Sequence, residues 1–298
     1  IKLNEQKQEL HLTFPKPIKG KATLKINYTG IHNEQMYGFY RSKYILNGRE
    51  EYLLTTQFEA PNARAAFPCF DEPAFKATFD VTLITDKDLT TISNMPIKQQ
   101  TTLPNNKKKV LFQTTPRMST YLLYLGIGNF KCISTQYNNI TINVYTTPDK
   151  IQYAPLPLNY TKTFLAYFEK YFDVPYPLPK VDMIAIPDFA AGAMENWGAI
   201  TFREIALLGD EKTSVVIRQN IAITVAHELA HQWFGNLVTM QWWNDLWLNE
   251  SFATFMSYKA VQDAFPEWDL PLQYFENTIT SALSADQVES THPINVVV

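Results

Sequence analysis

Two of the chain's five histidines stand four residues apart in "TVAHELAHQWFGN", with a glutamate directly after the first. Residues four apart on a helix share a face, one turn up, so His227 and His231 can aim both imidazoles at a single point. Glu228 is rotated by about 100° from His227, which leaves it outside that pair and able to reach a metal-bound water as general base. A bare His-x-x-x-His is as readily a coincidence of two polar residues on a helix; the full His-Glu-x-x-His pentapeptide is a much rarer one. A third donor decides between the two readings. Glu250, in "LWLNESFA", follows a short connection, and antiparallel packing of its helix would bring its carboxylate to the same point. Two neutral imidazoles, one carboxylate and an open fourth position describe a catalytic site for one Zn²⁺, whereas structural sites are closed by four protein ligands. Such an ion lowers the pKa of a bound water and polarises a carbonyl, chemistry that suits peptide hydrolysis, with Glu228 moving the proton.

Two helices must position these groups. The stretch from Thr213 to Phe234 carries Ile217, Ile221, Val225 and Leu229 at i, i+4 spacing. The second runs from about Asn244, a plausible cap, to Phe265 without an internal proline. The link "GNLVTMQWW" between them is short enough to favour antiparallel neighbours. A further helical segment, "TKTFLAYFEKYF", sets Phe164, Leu165, Phe168, Tyr171 and Phe172 on one face. The first part of the chain reads differently. "ATLKINY" at 22–28, "TFDVTLI" at 78–84 and "VLFQT" at 110–114 alternate apolar with polar residues between turn clusters, the pattern of strands. We therefore expect an α+β chain: an N-terminal β-sandwich-like domain over residues 1–132, then a mostly α domain over residues 133–298.

Composition excludes several classes. With 46% hydrophobic and 18% charged residues the chain is globular rather than disordered. A net charge of -3 supplies no basic field for a phosphate backbone, and the run Lys107 to Lys109 reads as a solvated hairpin turn, so nucleic acid is not expected as a partner. The longest apolar run, "YLLYLGIGNF" from Tyr121, is too short for a membrane span. Cys69 and Cys132 lack zinc spacing and read as free, buried thiols, which points to the cytoplasm. The sequons at Asn27, Asn139 and Asn159 are triplets that an Asn/Thr-rich sequence produces by chance. The chain starts at Ile1 without a methionine, so a processed protein or an excised fragment is expected, with targeting signals outside it.

A second stretch, "AAGAMENWGAITFRE" at 190–204, places glycines on both sides of Glu195, as where backbone approaches a ligand closely; an ordinary turn with a solvated glutamate would look the same. Together, "GAMEN" at 192–196, "HELAH" at 227–231 and "NE" at 249–250 resemble, in order and spacing, the M1 zinc aminopeptidases, or gluzincin aminopeptidases. The resemblance extends to "TQFEAPNARAAFPCFDEPAFKATFDVTL" from Thr56, "ISNMP" from Ile92, "TPRMSTYLL" from Thr115, "YPLPKVDMIAIPDF" from Tyr176 and "HPINV" from His292. Its flavour is that of the cytosolic puromycin-sensitive and yeast enzymes and the archaeal tricorn-interacting factors, with Ser251 in place of the glycine most relatives carry.

The resemblance implies a thermolysin-like catalytic domain and peptide substrates with a free N-terminus. It implies that Glu195 grips the α-amino group with help from Glu59, that Gly192, Ala193 and Met194 line the substrate backbone beside Asn196, and that Gln57 shapes the first side-chain pocket. Two carboxylates facing one ammonium allow only a free N-terminus to place its first peptide bond at the metal. Members of the family also use a tyrosine well beyond the third ligand to donate to the oxyanion. Tyr258 and Tyr274 stand too close to Glu250 to match, so an internal fragment is expected, lacking its first β-strands and the C-terminal part of the catalytic domain. The alternatives are a non-catalytic zinc-binding fragment and a bifunctional epoxide hydrolase/aminopeptidase.

Overall fold

The computed structural model describes residues 1–296. The chain opens with a small hairpin, β1 (Lys2–Asn4) and β2 (Glu9–His11). Next come β3 (Gly38–Leu46), β4 (Arg49–Gln57), β5 (Thr82–Asp86), β6 (Thr90–Ser93), β7 (Ile97–Leu103), β8 (Lys107–Phe112) and β9 (Leu125–Gly128). These form two antiparallel sheets, ordered β3-β4-β9-β6 and β5-β8-β7. The β7–β8 hairpin turns through Asn105 and Asn106, both at positive φ, which asparagine tolerates. The three lysines open the strand after that turn, and Lys108 is buried.

A third sheet follows. β10 (Lys131–Tyr137), β11 (Ile140–Thr146), β12 (Lys180–Ile186), β13 (Ala193–Met194) and β14 (Ala199–Arg203) pair in the order β10-β11-β12-β14-β13, with β11, β12 and β14 parallel. Between β11 and β12 lies α1 (Pro155–Phe172), the crossover that parallel strands require. Every residue of β12 is buried, as befits a central strand covered on both faces, and β11 alternates. After β14 come α2 (Glu204–Leu207), α3 (Val215–Ala230), α4 (Trp247–Ala264), α5 (Leu270–Tyr274) and α6 (Thr280–Asp286). The fold is α+β, a β-sheet region followed by a region rich in helix, and one contiguous apolar core joins them.

Several expected elements differ. Residues 22–28 form no strand; Leu24 and Tyr28 are exposed, because alternation makes a strand only where a neighbouring chain supplies the ladder. Within 78–84 the ladder begins only at Thr82. Asn244 is not a helix cap. It lies in a 3-10 turn, Trp243–Asp245, and Leu246 precedes α4 without any side-chain cap. The cap of α3 is Ser214, whose hydroxyl accepts from Ile217 N. Of the α3 stripe, Ile221, Val225 and Leu229 are buried, but Ile217 on the first turn is exposed. On α1, Phe164, Leu165 and Phe168 are buried, whereas Tyr171 is half exposed because only its ring face is covered, stacked on Tyr167. Cys69 is half-buried and Cys132 is exposed on the edge strand β10, so neither is a fully buried thiol, though both are free.

Phe168 stacks on Phe172 and lies 6.0 Å from Trp233, joining α1 to the turn after α3. Truncating it would open a cavity behind the site. Phe168→Ala should lose about 3–5 kcal/mol in urea unfolding; an unchanged midpoint would show that this contact does not hold the helices together.

Candidate active site

α3 ends one residue before His231. The imidazole Nδ1 of His231 lies 2.9 Å from Phe234 O. A carbonyl can only accept, so Nδ1 carries a proton, and in the neutral ring it is Nε2 that presents a lone pair inward. The chain then turns at Gly235, whose φ of +126° is open to glycine. A Cβ there would stand 3.2 Å from Asn249 Nδ2 and 3.4 Å from His231 Nδ1, so the turn brings the start of α4 hard against the end of α3. Contacts then run in opposite order along the two helices: Gly235 faces Asn249, and His227 faces Glu250 and Thr254. The packing is antiparallel.

This brings three donors together. His227 Nε2 and His231 Nε2 are 2.9 Å apart, and Glu250 Oε2 lies 3.3 Å from the first and 3.7 Å from the second. All three atoms fall within 4.8 Å of one another, a spacing one metal ion could bridge. The Nδ1 of His227 meets Thr254 Oγ1 at 3.4 Å, on the side away from the cluster. Glu195, Glu228 and His231 form a second such group, and Glu59, Glu195 and Glu250 a third.

The electrostatics match a site for cations. Burial raises the Glu228 carboxyl well above its ordinary range, with Glu195, Glu250 and Glu59 adding to the effect and His231 opposing it. Burial likewise raises Glu59 and Glu195, each made worse by Glu250. Burial also disfavours the charged form of Glu250, but hydrogen bonds from His227 and His231 outweigh it and hold that carboxyl below its usual range. Burial would lower His231, yet Glu195, Glu250 and Glu228 together pull it well above the ordinary histidine value. Glu228 Oε2 and Glu195 Oε1 are buried without a hydrogen-bond partner among the described residues. Orphaned carboxylate oxygens at a cavity wall mark where a cation or a polar ligand belongs. The donor set, two imidazoles and a carboxylate with unpaired carboxylates close by, fits Zn²⁺.

A cavity of about 480 Å³ opens over these groups. It is lined by Glu59, Gly192, Ala193, Glu195, His227, Glu228, His231 and Glu250, all singled out in the sequence. Gly192 has nothing within 4 Å of where a Cβ would stand, so it leaves the wall open. Gln57, Met194 and Asn196 do not line the cavity. All three are buried, Asn196 donating from Nδ2 to Thr201 Oγ1. Ala191, Ile223, Thr224, Thr254, Ser257 and Tyr258 complete the wall, none of them picked out from the sequence as lining it. The helical period was the available signal: Thr224, His227 and His231 share one face of α3, as Glu250, Thr254 and Ser257 share one of α4.

The fold and site together define an α+β protein whose His-Glu-x-x-His motif and Glu250 bring three possible metal donors together on a helix pair. The "Peptidase family M1 domain" model matches residues 156–298 and the "Peptidase M1 N-terminal domain" model matches residues 1–122. The chain belongs to peptidase family M1. It is 51% identical to tricorn protease-interacting factor F2 of Thermoplasma volcanium over 89% of its length and 33% of that protein. It is 48% identical to the mitochondrial aminopeptidase 2 of Saccharomyces cerevisiae over 98% of its length and 31% of the relative. The leucyl aminopeptidase of Saccharolobus solfataricus is 50% identical over 91% of the chain and 34% of the relative. The chain thus spans about a third of the length of these curated relatives. Among the described residues, no helix is long and apolar enough to cross a membrane.

Because Gly235 sets the distance between α3 and α4, Gly235→Ala should cost about 1–3 kcal/mol in stability and weaken zinc binding with it. Calorimetric zinc titration checks this, and an unchanged affinity would show that the turn does not position His231.

Proposed function

We propose that this chain forms the metal-holding and substrate-anchoring part of a zinc-dependent aminopeptidase. The observation that carries the reading is the convergence, on one cavity, of the His227, His231 and Glu250 donor atoms with the unpaired carboxylates of Glu195 and Glu228. His227, His231 and Glu250 would hold one Zn²⁺, which when bound supplies a Lewis acid for the scissile carbonyl and a more acidic water.

The remaining chemistry belongs to side chains. Glu195 and Glu59 repel one another in a buried wall, and a substrate's α-ammonium entering between them relieves that repulsion. A blocked N-terminus brings no such charge and leaves two buried carboxylates facing each other. The free amine therefore fixes which peptide bond reaches the metal ligands. Glu228, whose basicity burial raises, takes a proton from the attacking water as its oxygen bonds to the carbonyl carbon. It then hands that proton to the leaving nitrogen as the C–N bond breaks. The backbone of Gly192 and Ala193 supports the peptide, with Met194, Gln57 and Asn196 acting from buried positions. The cytosolic-type resemblance favours action in the cytoplasm on short peptides.

Glu228→Gln removes the proton carrier and keeps the shape. It should cut kcat on aminoacyl chromogenic substrates by roughly 10²–10⁴, with zinc content by elemental analysis unchanged. Full zinc occupancy with undiminished turnover would contradict the role of Glu228; zinc without turnover in the wild type would favour a non-catalytic zinc-binding fragment.

A further inference from the structure

The loop that carries Glu195 is gripped from two directions. From the end of α3, Gln232 Nε2 and Asn236 Nδ2 both donate to Glu195 O, at 3.2 and 2.8 Å, while Gly198 N donates to Gln232 Oε1. From the opposite side, Asn94 Nδ2 donates to Trp197 O at 2.9 Å and to Leu122 O at 2.7 Å, and its Oδ1 accepts from Tyr124 N. Lys180 Nζ donates to Gly198 O at 2.8 Å, to Ser93 O at 2.9 Å and to Asp182 Oδ2 at 2.6 Å. An ammonium has three protons, and each has an acceptor here.

Lys180 is an expensive residue to bury, and among the described residues its ion-pair partner is Asp182. Its other two bonds go to neutral carbonyls in separate segments, Ser93 at the end of β6 and Gly198 in the loop. Pairing with Asp182 alone would have satisfied the charge; what the two further bonds add is a link between the N-terminal sheet and the Glu195 loop. Gly198 sits at φ +76°, and a Cβ there would lie 2.6 Å from Asn94 O, so the backbone is seated against the β6 end with no slack. Asn94 and Lys180 thus hold the consecutive carbonyls of Trp197 and Gly198, just beyond Glu195.

We propose that Lys180 and Asn94 are positioning residues for Glu195. By fixing the 195–198 loop to the N-terminal sheet, they set where the Glu195 carboxylate stands relative to His227, His231 and Glu250, and so where a substrate's α-ammonium must lie. The proposal rests on the reading of Glu195 as the amine anchor.

The test compares two metal chelators in the zinc-loaded protein, leucine hydroxamate and isocaproyl hydroxamate, which differ only in the α-amine. Calorimetry gives the ratio of their affinities. Lys180→Met is paired with Asp182→Asn so that no carboxylate is stranded in the interior, and Asn94→Ala, which leaves the buried ion pair intact, carries the same expectation independently. Each variant should lose roughly tenfold to a hundredfold of the wild-type preference for the amine, with zinc content and affinity for isocaproyl hydroxamate unchanged. A merely structural role would lower stability or weaken both ligands alike, so folded, zinc-loaded variants that keep the wild-type ratio overturn the proposal. A wild type with no amine preference overturns the reading of Glu195, and the proposal with it.

Discussion

Four carboxyl groups share one cavity with two imidazoles, and that crowding of acidic groups is the constraint around which the site is built. Glu59, Glu195 and Glu228 are each pushed toward the neutral form by burial, while Glu250 is kept ionised by the two histidines. An apolar interior does not tolerate such a cluster without compensation. Within the chain, His231 is a group those carboxylates pull toward the charged form. In the proposed function, cations from outside complete the compensation: a metal on the His227, His231 and Glu250 side, and an ammonium on the Glu59 and Glu195 side. One crowding of acidic groups thus accounts for both halves of the proposed chemistry.

The rest of the fold holds that crowding in place. The helix pair is spaced by a glycine turn that brings Asn249 to His231, and the phenol of Tyr121, from the N-terminal region, reaches Gly235 O and accepts from Asn249 Nδ2. Lys76, also from the N-terminal region, donates to the carbonyls of Asn236 and Leu237 in the same turn. Asp188 ties β3 to the segment before the Glu195 loop through Ser42, Lys43 and Tyr40. The sheets therefore buttress the site as well as sharing its core. Glu59 is the clearest case, because it follows directly on β4 and yet lines the cavity beside residues of α3 and α4.

How far the sequence could be read depended on the range of the interactions involved. His227, His231 and Glu250 were legible because helical periodicity is local and their chemistry is specific to residue type. The α+β order was legible for the same reason, from strand alternation giving way to helical period. What escaped was set by distant partners. "ATLKINY" alternates as a strand should, but no neighbouring chain in the described residues completes a ladder. Asn244 has the type of a cap, but a 3-10 turn claims it. Gln57 and Met194 carry the right neighbours in sequence and are buried without lining the cavity; Met194 alternates along the chain with Ala193 and Glu195, which do line it. Tyr258 lies too near Glu250 in sequence to match the family's oxyanion tyrosine, and its place on the cavity wall follows from the helical face it shares with Glu250 and Thr254. Lys180 and Asn94 gave no local signal at all, because their partners are far away along the chain.

In the function proposed above, His227, His231 and Glu250 hold one Zn²⁺ beside the open cavity. Anomalous diffraction at the zinc edge, from crystals of zinc-loaded protein, tests it most directly. The account predicts a single strong peak bounded by His227 Nε2, His231 Nε2 and Glu250 Oε2. A peak at another site, or none at these three atoms, would contradict it.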